Sequence, residues 1–444
     1  MKIIYVLNHF FPHQVAGTEM YVYSLIKTLQ GNNVSLTVLI PNPHSTKNEE
    51  YYFENIRVLQ YAEPSVVDRA LIMGKRPPEG LKNFLSVLEE EKPDIVHFHE
   101  LAGSNGITLS HVVEAKKLFY KTIMTFHLVR YSCKTSTLMY RNKQLCDGVI
   151  NQKKCTMCCY SDRAISGFKA TVLYSVATFS KRLNYDTTSW DNSIGTAIGF
   201  PNIIKKLKSD LLELAENCDH LVTLTDWYKE ILTLNGVPRQ KIQHIPQGLP
   251  TTHIPSEKKS EINNAQDLKV IFIGRISHIK GVHILIEAVK EITEKNISLD
   301  IYGRDNDDGY AKYCKSISSG NLNIRWRGEL QPAKVIDILS GFDILCLPST
   351  IAEMSPLVIL EAFAASVPVI ASNVYGNAQQ IENNVNGWLF NFNDKDDLKK
   401  KLLQLADNRL IIEEAKKHLP EINSFNSVAA SHLELYKSVI SFSN

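Results

Sequence analysis

At 444 residues the chain is two to three times the size of a typical domain, and 44% hydrophobic with 22% charged residues, 21 Gly and 17 Pro excludes disordered, collagenous and coiled-coil classes. The nearest approach to a membrane span, 354–372, is broken by Pro356, Glu361 and Pro368, and the apolar run after Met1 is too short for a signal-peptide core, so a cytoplasmic chain is expected. The net charge, 49 − 47 = +2, hides an asymmetry: residues 101–208 hold 16 basic and 5 acidic side chains, an excess of 16 − 5 = +11.

In chain order, the apolar run Lys2 to Leu7 reads as a buried strand, and the loop from His9 to Thr18 leads into a helix with Tyr21, Leu25, Ile26 and Leu29 on one face. Val34 to Ile40 reads as the next strand. Leu81 to Glu91 (helix), Asp94 to Phe98 (strand), Leu109 to Leu118 (helix) and Thr122 to Phe126 (strand) continue the alternation, which specifies a parallel sheet covered by helices. His97 and His99 fall on one face of their strand; they read as strand-end polar residues rather than as a metal pair lacking a third ligand.

Five of the eight cysteines lie within 133–159. Cys155 and Cys158 have the two-residue gap that lets two thiolates share a tetrahedral zinc, and Cys133 and Cys146 would complete four ligands; free thiols are the rival reading. Cys218, Cys314 and Cys346 read as core. Phe168, Val172, Val176, Phe179 and Leu183 form a helical stripe flanked by Lys169, Lys181 and Arg182. The stripe is read as core packing, with docking on a membrane as the alternative. The basic 101–208 region reads either as a peripheral surface for anionic lipid headgroups or a charged acceptor, or as a solvated face. No nucleic-acid partner is expected.

The polar stretch Thr251 to Gln266 reads as a linker, after which strands are expected at Lys269 to Ile273, Leu299 to Tyr302, Asn323 to Arg327, Asp343 to Leu347 and Val367 to Ala371. The fold class is therefore α/β with two doubly wound halves, whose ligand cleft lies at the carboxyl ends of the strands. Gly274 and Arg275, then Lys280 ahead of a helix, make a strand-to-helix junction with two cations: an anion site, or a surface loop with solvated charges. Ser355-Pro356 reads as an N-cap and first helical residue, which puts Glu353 in the loop ahead of the helix and Glu361 in its second turn. Both carboxylates are suited to sugar hydroxyls; a dipole-favouring acid plus a solvated helical Glu is the plainer reading. Asp305, Asp307 and Asp308 read as a surface loop rather than a metal cluster.

The run Val270 to Lys280-Gly281, Pro348-Ser349, Glu353-Met-Ser-Pro-Leu-Val-Ile-Leu-Glu361 and Val367-Pro-Val-Ile-Ala-Ser resembles retaining glycosyltransferases of family 4, which have the GT-B fold and an E-x7-E pair. Ala16-Gly17-Thr18-Glu19, Pro93 to His97, Thr125-Phe126-His127 and Asn235 to Gly248 match the family in order. The resemblance implies GT-B architecture, two Rossmann-like domains facing across a cleft: 1–250 on the acceptor side, carrying the Cys-rich insert 133–159 seen in some relatives; 251–424 for the nucleotide sugar; and 425–444 as a helix crossing back to the first domain. It implies that Arg275 and Lys280 neutralise the donor diphosphate. Glu361 would take the ribose, and Glu353 with the backbone of Met354, Ser355, Pro356 and Leu357 would hold sugar and diphosphate. His127 would face the sugar, Gly17 would let the first loop approach the phosphates, Gly274 belongs to the same phosphate-side junction, and Arg327 marks the neighbourhood of the base.

The implied activity is retaining, metal-independent transfer from a nucleotide diphosphate sugar to a glycan, lipid-linked or small-molecule acceptor, in cell-surface polysaccharide or glycoconjugate synthesis. No cofactor is required for catalysis, with a structural zinc the one metal in question, and a location at the inner face of the membrane is compatible with the basic region. Ala16, Gln247, Pro250 and Gln379 depart from the residues the family often carries there. Ala16, Gln247 and Gln379 motivate the rival expectation of a non-catalytic nucleotide-sugar-binding or assembly subunit.

Overall fold

The computed structural model describes residues 1–13, 16–64, 68–102, 106–183, 185–250, 267–293, 296–305 and 309–441. The polar stretch Thr251 to Gln266 and the acids Asp307 and Asp308 lie outside the described residues. The chain divides into two compact units: one of residues 1–142, 146–246 and 425–444, the other of 143–145 and 247–424.

The first unit is built on an eight-stranded sheet. Its strands are β1 (Lys2–Val6), β2 (Ser35–Asn42), β3 (Glu49–Phe53), β4 (Ile56–Ala62), β5 (Ile95–Phe98), β6 (Lys121–Phe126), β7 (His220–Thr223) and β8 (Ile242–His244), in the order β8-β7-β6-β5-β1-β2-β4-β3. All neighbours are parallel except β3 with β4. Ile3, Ile4, Tyr5 and Val6 are fully buried, because a parallel strand with helices on both faces has no solvent side. Helices α1 (Gly17–Leu29), α2 (Leu109–Lys117), α3 (Gln152–Asp162), α4 (Gly167–Arg182) and α5 (Ser193–Asn217) belong to this unit.

The strand order puts β1 beside both β2 and β5, so the chain reverses its direction of travel across the sheet there. The carboxyl ends of β5 and β6 carry His99 and His127.

The second unit has a six-stranded, fully parallel sheet: β9 (Leu268–Ile273), β10 (Ile297–Tyr302), β11 (Ile324–Gly328), β12 (Ile344–Leu347), β13 (Val369–Ser372) and β14 (Gly387–Phe390), in the order β11-β10-β9-β12-β13-β14. Its reversal point lies between β9 and β12, where a doubly wound sheet binds its ligand. Helices α6 (Val282–Lys290), α7 (Leu357–Ala364) and α8 (Tyr375–Gln380) each follow one of these inner strands. The last helix, α9 (Phe425–Ser441), belongs to the first unit, where Tyr21 Oη and His432 Nε2 meet at 2.8 Å.

One expectation is reversed. Phe168 is 83%, Phe179 63% and Leu183 65% exposed, so the stripe on α4 is not core. The helix packs instead through Ala170 and Ala177, both 2% exposed, whose small side chains sit on its opposite face. The large apolar residues are left outside. Among the described residues no helix is long and apolar enough to cross a membrane.

Candidate functional site

The β9–α6 junction of the second unit is shaped by glycines. Gly281 has φ +67°, and a Cβ there would lie 1.9 Å from the carbonyl oxygen of Pro348. Only glycine lets the turn bearing Lys280 close against the loop after β12. Thr350 N–H donates to Ile279 O at 2.9 Å, and the Thr350 hydroxyl to His278 O at 3.0 Å, which fastens the two loops together. Gly303 repeats the device, since a Cβ on it would lie 1.9 Å from Gly274 O.

Lys280 Nζ donates to Glu353 Oε1 at 2.6 Å, and the buried Ser349 hydroxyl donates to the same oxygen at 2.6 Å. Ser372 Oγ donates to Ser349 O at 2.7 Å, and Asn377 Nδ2 donates to Ser372 O at 3.0 Å. This chain of hydrogen bonds ties the ends of β12 and β13 beneath the ion pair. Gly376 closes the far side: a Cβ there would lie 2.1 Å from Glu353 O. Ser349, Ser372, Asn377 and Gly376 were given no role by the motifs. Their signal was position, directly after two buried strands.

The structure brings Lys280 and Glu353 into contact and leaves other residues differently engaged. Arg275 is exposed and makes no ion pair among the described residues. Pro356 is the N-cap of α7 and Leu357 its first residue, one position later than the sequence pattern gives. Pro356 has no N–H, so Ser355 and Leu357 are the backbone donors this helix start offers. Glu361, on α7, has no hydrogen-bond partner among the described residues, and burial pushes its carboxyl up to about 7. Arg327 is taken: its Nε donates to Asp300 Oδ2 at 2.7 Å while Arg325 Nε holds Oδ1 at 2.6 Å, so it braces β10 against β11.

In the first unit, Gly17 opens α1 with no atom within 4 Å of a would-be Cβ, and Glu19 accepts from Ala16 N–H at 3.0 Å. His127 follows β6 directly, and its Nε2 lies 3.0 Å from His99 Nδ1 on the neighbouring strand end. Burial holds the His127 imidazole down at about 3, so the ring is neutral. His97 is bonded on both nitrogens, to Tyr436 Oη and Thr125 Oγ1, each at 2.8 Å, and is a structural polar residue.

The described residues give the zinc expectation no support. Cys133, Cys146, Cys155 and Cys158 do line one small cavity of about 20 Å³. Yet among the described residues no group of three or more His, Cys, Asp or Glu side chains is arranged to hold a metal ion. The sulfurs have local partners instead: Cys133 Sγ meets Thr135 Oγ1 at 3.3 Å, and Cys158 Sγ accepts from Arg141 N–H at 3.2 Å. Burial raises the Cys155 thiol to about 11. Cys218, Cys314 and Cys346 are buried core residues as expected.

Residues 254–421 match the family described as "Glycosyl transferases group 1", and residues 15–150 match "Glycosyltransferase Family 4". The chain belongs to the family 4 type of glycosyltransferase, with the GT-B fold. It is 25% identical over 219 residues to the amylovoran biosynthesis glycosyltransferase AmsK of Erwinia amylovora, covering 48% of this chain and 53% of that protein. It is 28% identical over 213 residues to the UDP-Gal:alpha-D-GlcNAc-diphosphoundecaprenol alpha-1,3-galactosyltransferase of Escherichia coli, covering 43% of this chain and 52% of that protein. The chain thus spans about half the length of these curated relatives. The structure of Anabaena HepE in complex with UDP-glucose is similar in fold, with a TM-score of 0.62 at 12% identity over 99% of this chain and 100% of that one.

Proposed function

We propose that this glycosyltransferase moves a sugar from a nucleotide diphosphate sugar to a glycan or lipid-linked acceptor, with retention of configuration, in the synthesis of a cell-surface polysaccharide or glycoconjugate. The Lys280–Glu353 contact carries the reading, because it fixes a cation at the reversal point of the second sheet, on the same strand-to-helix junction as the exposed Arg275. As the sugar C1–O bond breaks, its electron pair passes to the diphosphate oxygen. Lys280 and Arg275 stabilise that charge where it develops, so the leaving group is served by side-chain cations rather than by a metal ion. The acceptor oxygen attacks C1 on the same face, and its proton passes to a phosphate oxygen of the departing diphosphate.

Glu361 has no partner among the described residues and is suited to accept from the ribose hydroxyls; the start of α7 offers N–H groups to the phosphates. His127, at the carboxyl end of β6, carries a neutral imidazole suited to a sugar hydroxyl. The two curated relatives support the class of product, one named for amylovoran biosynthesis and the other for transfer from UDP-Gal to a diphosphoundecaprenol-linked sugar. HepE, bound to UDP-glucose, supports a nucleotide-sugar donor. The exposed stripe of α4, with Lys169, Lys181 and Arg182 beside it, supports peripheral contact with the inner face of a membrane.

A thermal-shift panel of nucleotide sugars, followed by a donor-hydrolysis assay with the stabilising compound, tests the reading. One donor should raise the melting temperature and be hydrolysed slowly without acceptor. Stabilisation with no hydrolysis and no transfer would make the chain a binder, and no stabilisation by any nucleotide sugar would sink the reading.

A further inference from the structure

The first unit contains a cavity of about 560 Å³ that none of the assigned residues lines, within the size range of small-molecule sites. It lies between α2, α5, the short helix Arg69–Ile72 and the turn that follows His127. One wall is apolar, formed by Leu109 and Val113 of α2 and by Ile203 and Leu207 of α5. The other wall carries Arg130 and Lys134, which come three and seven residues after His127.

Four cations, Arg76, Arg130, Lys134 and Lys206, and three carboxylates, Glu114, Asp210 and Glu213, line this cavity, and Glu114 is already paired with Lys117. Lys206 is satisfied by Asp210, with Nζ 2.7 and 2.9 Å from its two carboxylate oxygens, and Arg76 is held by Asp68 at 3.0 Å. Among the described residues neither Arg130 nor Lys134 has a carboxylate within ion-pair distance. Lys134 is exposed at the cavity wall; desolvation pulls its ammonium below the usual lysine range, with Arg130 and Arg163 adding to the shift and Cys159 and Asp210 opposing it. Two neighbouring cations without an ion-pair partner on one wall favour an incoming anion. The turn that carries the two cations is fixed, since Leu101 N–H donates to Tyr131 Oη at 3.0 Å and the Tyr131 ring meets Phe126 edge-on.

We infer that this cavity binds an anionic amphiphile: a phosphate or diphosphate group on Arg130 and Lys134, with the attached hydrocarbon along Leu109, Val113, Ile203 and Leu207. The inference rests on the glycosyltransferase reading only in making this ligand the acceptor's carrier, and it deepens that reading by naming the acceptor's chemistry. The site sits at the carboxyl end of β6, on the turn that begins at His127, so an acceptor anchored there has its sugar end close to the strand ends.

The test is calorimetric titration of the full chain with farnesyl diphosphate, inorganic pyrophosphate and farnesol, with excess UDP present so that a donor site is occupied. Farnesyl diphosphate should bind at least tenfold tighter than either fragment. The double variant Arg130→Gln, Lys134→Gln should lose at least tenfold of that affinity with an unchanged melting temperature, and Leu207→Gln should weaken farnesyl diphosphate while sparing pyrophosphate. Equal affinity for pyrophosphate and farnesyl diphosphate, or binding unaltered in both variants, overturns the inference, as does absence of binding. UDP titration of the same preparations reads the donor site separately. A chain that ignores UDP yet shows the farnesyl diphosphate differences keeps this site and loses the donor reading.

Discussion

Lys280 and Glu353 stand 73 residues apart in sequence and 2.6 Å apart in space, and the turn that bears Lys280 closes on the loop after β12 through Gly281. The Glu353 carboxylate holds the ammonium in place before any ligand arrives, which is the condition for electrostatic stabilisation without reorganisation. Removing the cation should therefore cost rate. Lys280→Ala is expected to lower kcat by on the order of 10²–10³, about 3–4 kcal/mol of barrier. Arg275→Ala should lower kcat in the same direction with no change in melting temperature, because the side chain is exposed and makes no ion pair among the described residues. Steady-state kinetics beside thermal melts check both, and full turnover in the two variants would remove the leaving-group role.

Gly281→Ala tests the scaffold rather than the charge. The new methyl group would meet Pro348 O at 1.9 Å, and the residue would have to hold φ +67°. The two loops would be pushed apart, at a cost of about 2 kcal/mol or more. A melting point several degrees lower, with weaker UDP binding, is the expected result. Gly17→Ala is the control: nothing lies within 4 Å of its would-be Cβ, so its melting point should stay close to that of the parent.

Glu361 gives the donor site a pH dependence of known sign. Its carboxyl is raised by burial to about 7, whereas the unfolded chain holds it near the ordinary value of 4.5. The folded state therefore binds the proton more tightly. The stability this contributes is present below pH 4.5 and is lost as pH rises through 7. Ribose recognition runs the other way, because the carboxylate is the acceptor. UDP affinity should rise about tenfold between pH 6 and pH 8 as the group ionises. Glu361→Gln should flatten that profile while raising the melting temperature at pH 8; a wild-type affinity independent of pH would remove Glu361 from the ribose site.

How far the sequence discloses this molecule depends on the kind of signal. The inner strands were legible because each is a short apolar run at a doubly wound alternation, and β1, β5, β6, β9 and β12 fall within one or two residues of expectation. The hairpin of β3 and β4 was not, since its tight turn is Glu54-Asn55, both at positive φ, without the glycine that usually marks such a turn. Helix α5 was hidden by Pro201 inside it. At the site, the charged residues were visible in the motifs, but Ser349, Ser372 and Asn377 carry no pattern of their own. Their role arises only when β12 and β13 are laid side by side. The α4 stripe misled for a simple reason: helical periodicity reports that a face is apolar and not what covers it.

That face makes a separate prediction. Phe168, Phe179 and Leu183 are exposed, and α4 carries Lys169, Lys181 and Arg182 with no acidic residue. Apolar side chains flanked by cations favour an anionic bilayer over a neutral one. The chain should co-sediment with vesicles containing phosphatidylglycerol, less so at high salt, and only weakly with pure phosphatidylcholine. Phe168→Ser with Phe179→Ser should reduce binding at least tenfold. Concentration-dependent dimerisation abolished by the same pair, with no vesicle binding, would assign the face to a second copy of the chain instead.

The last prediction concerns the cluster that joins α9 to the first sheet. His97, His99, His127 and His432 are packed together, with His97 and His99 ring centroids 4.1 Å apart and His432 bonded to Tyr21 at 2.8 Å. Burial holds His127 and His432 down at about 3 and pushes His97 and His99 well below the usual histidine range. All four are neutral in the fold and take up protons readily once unfolded. Below pH 6.5 the unfolded state binds more protons than the native one, so this stability is full above 6.5 and falls as the pH drops. Each histidine contributes about 1.4 kcal/mol per pH unit, so four of them make the loss steep between pH 6 and pH 4. The melting temperature should fall sharply across that interval, and His432→Gln should lessen the slope, since one fewer proton is taken up on unfolding. A melting temperature flat from pH 7 to pH 4 would mean that the rings are reached by solvent and that α9 is held by other contacts.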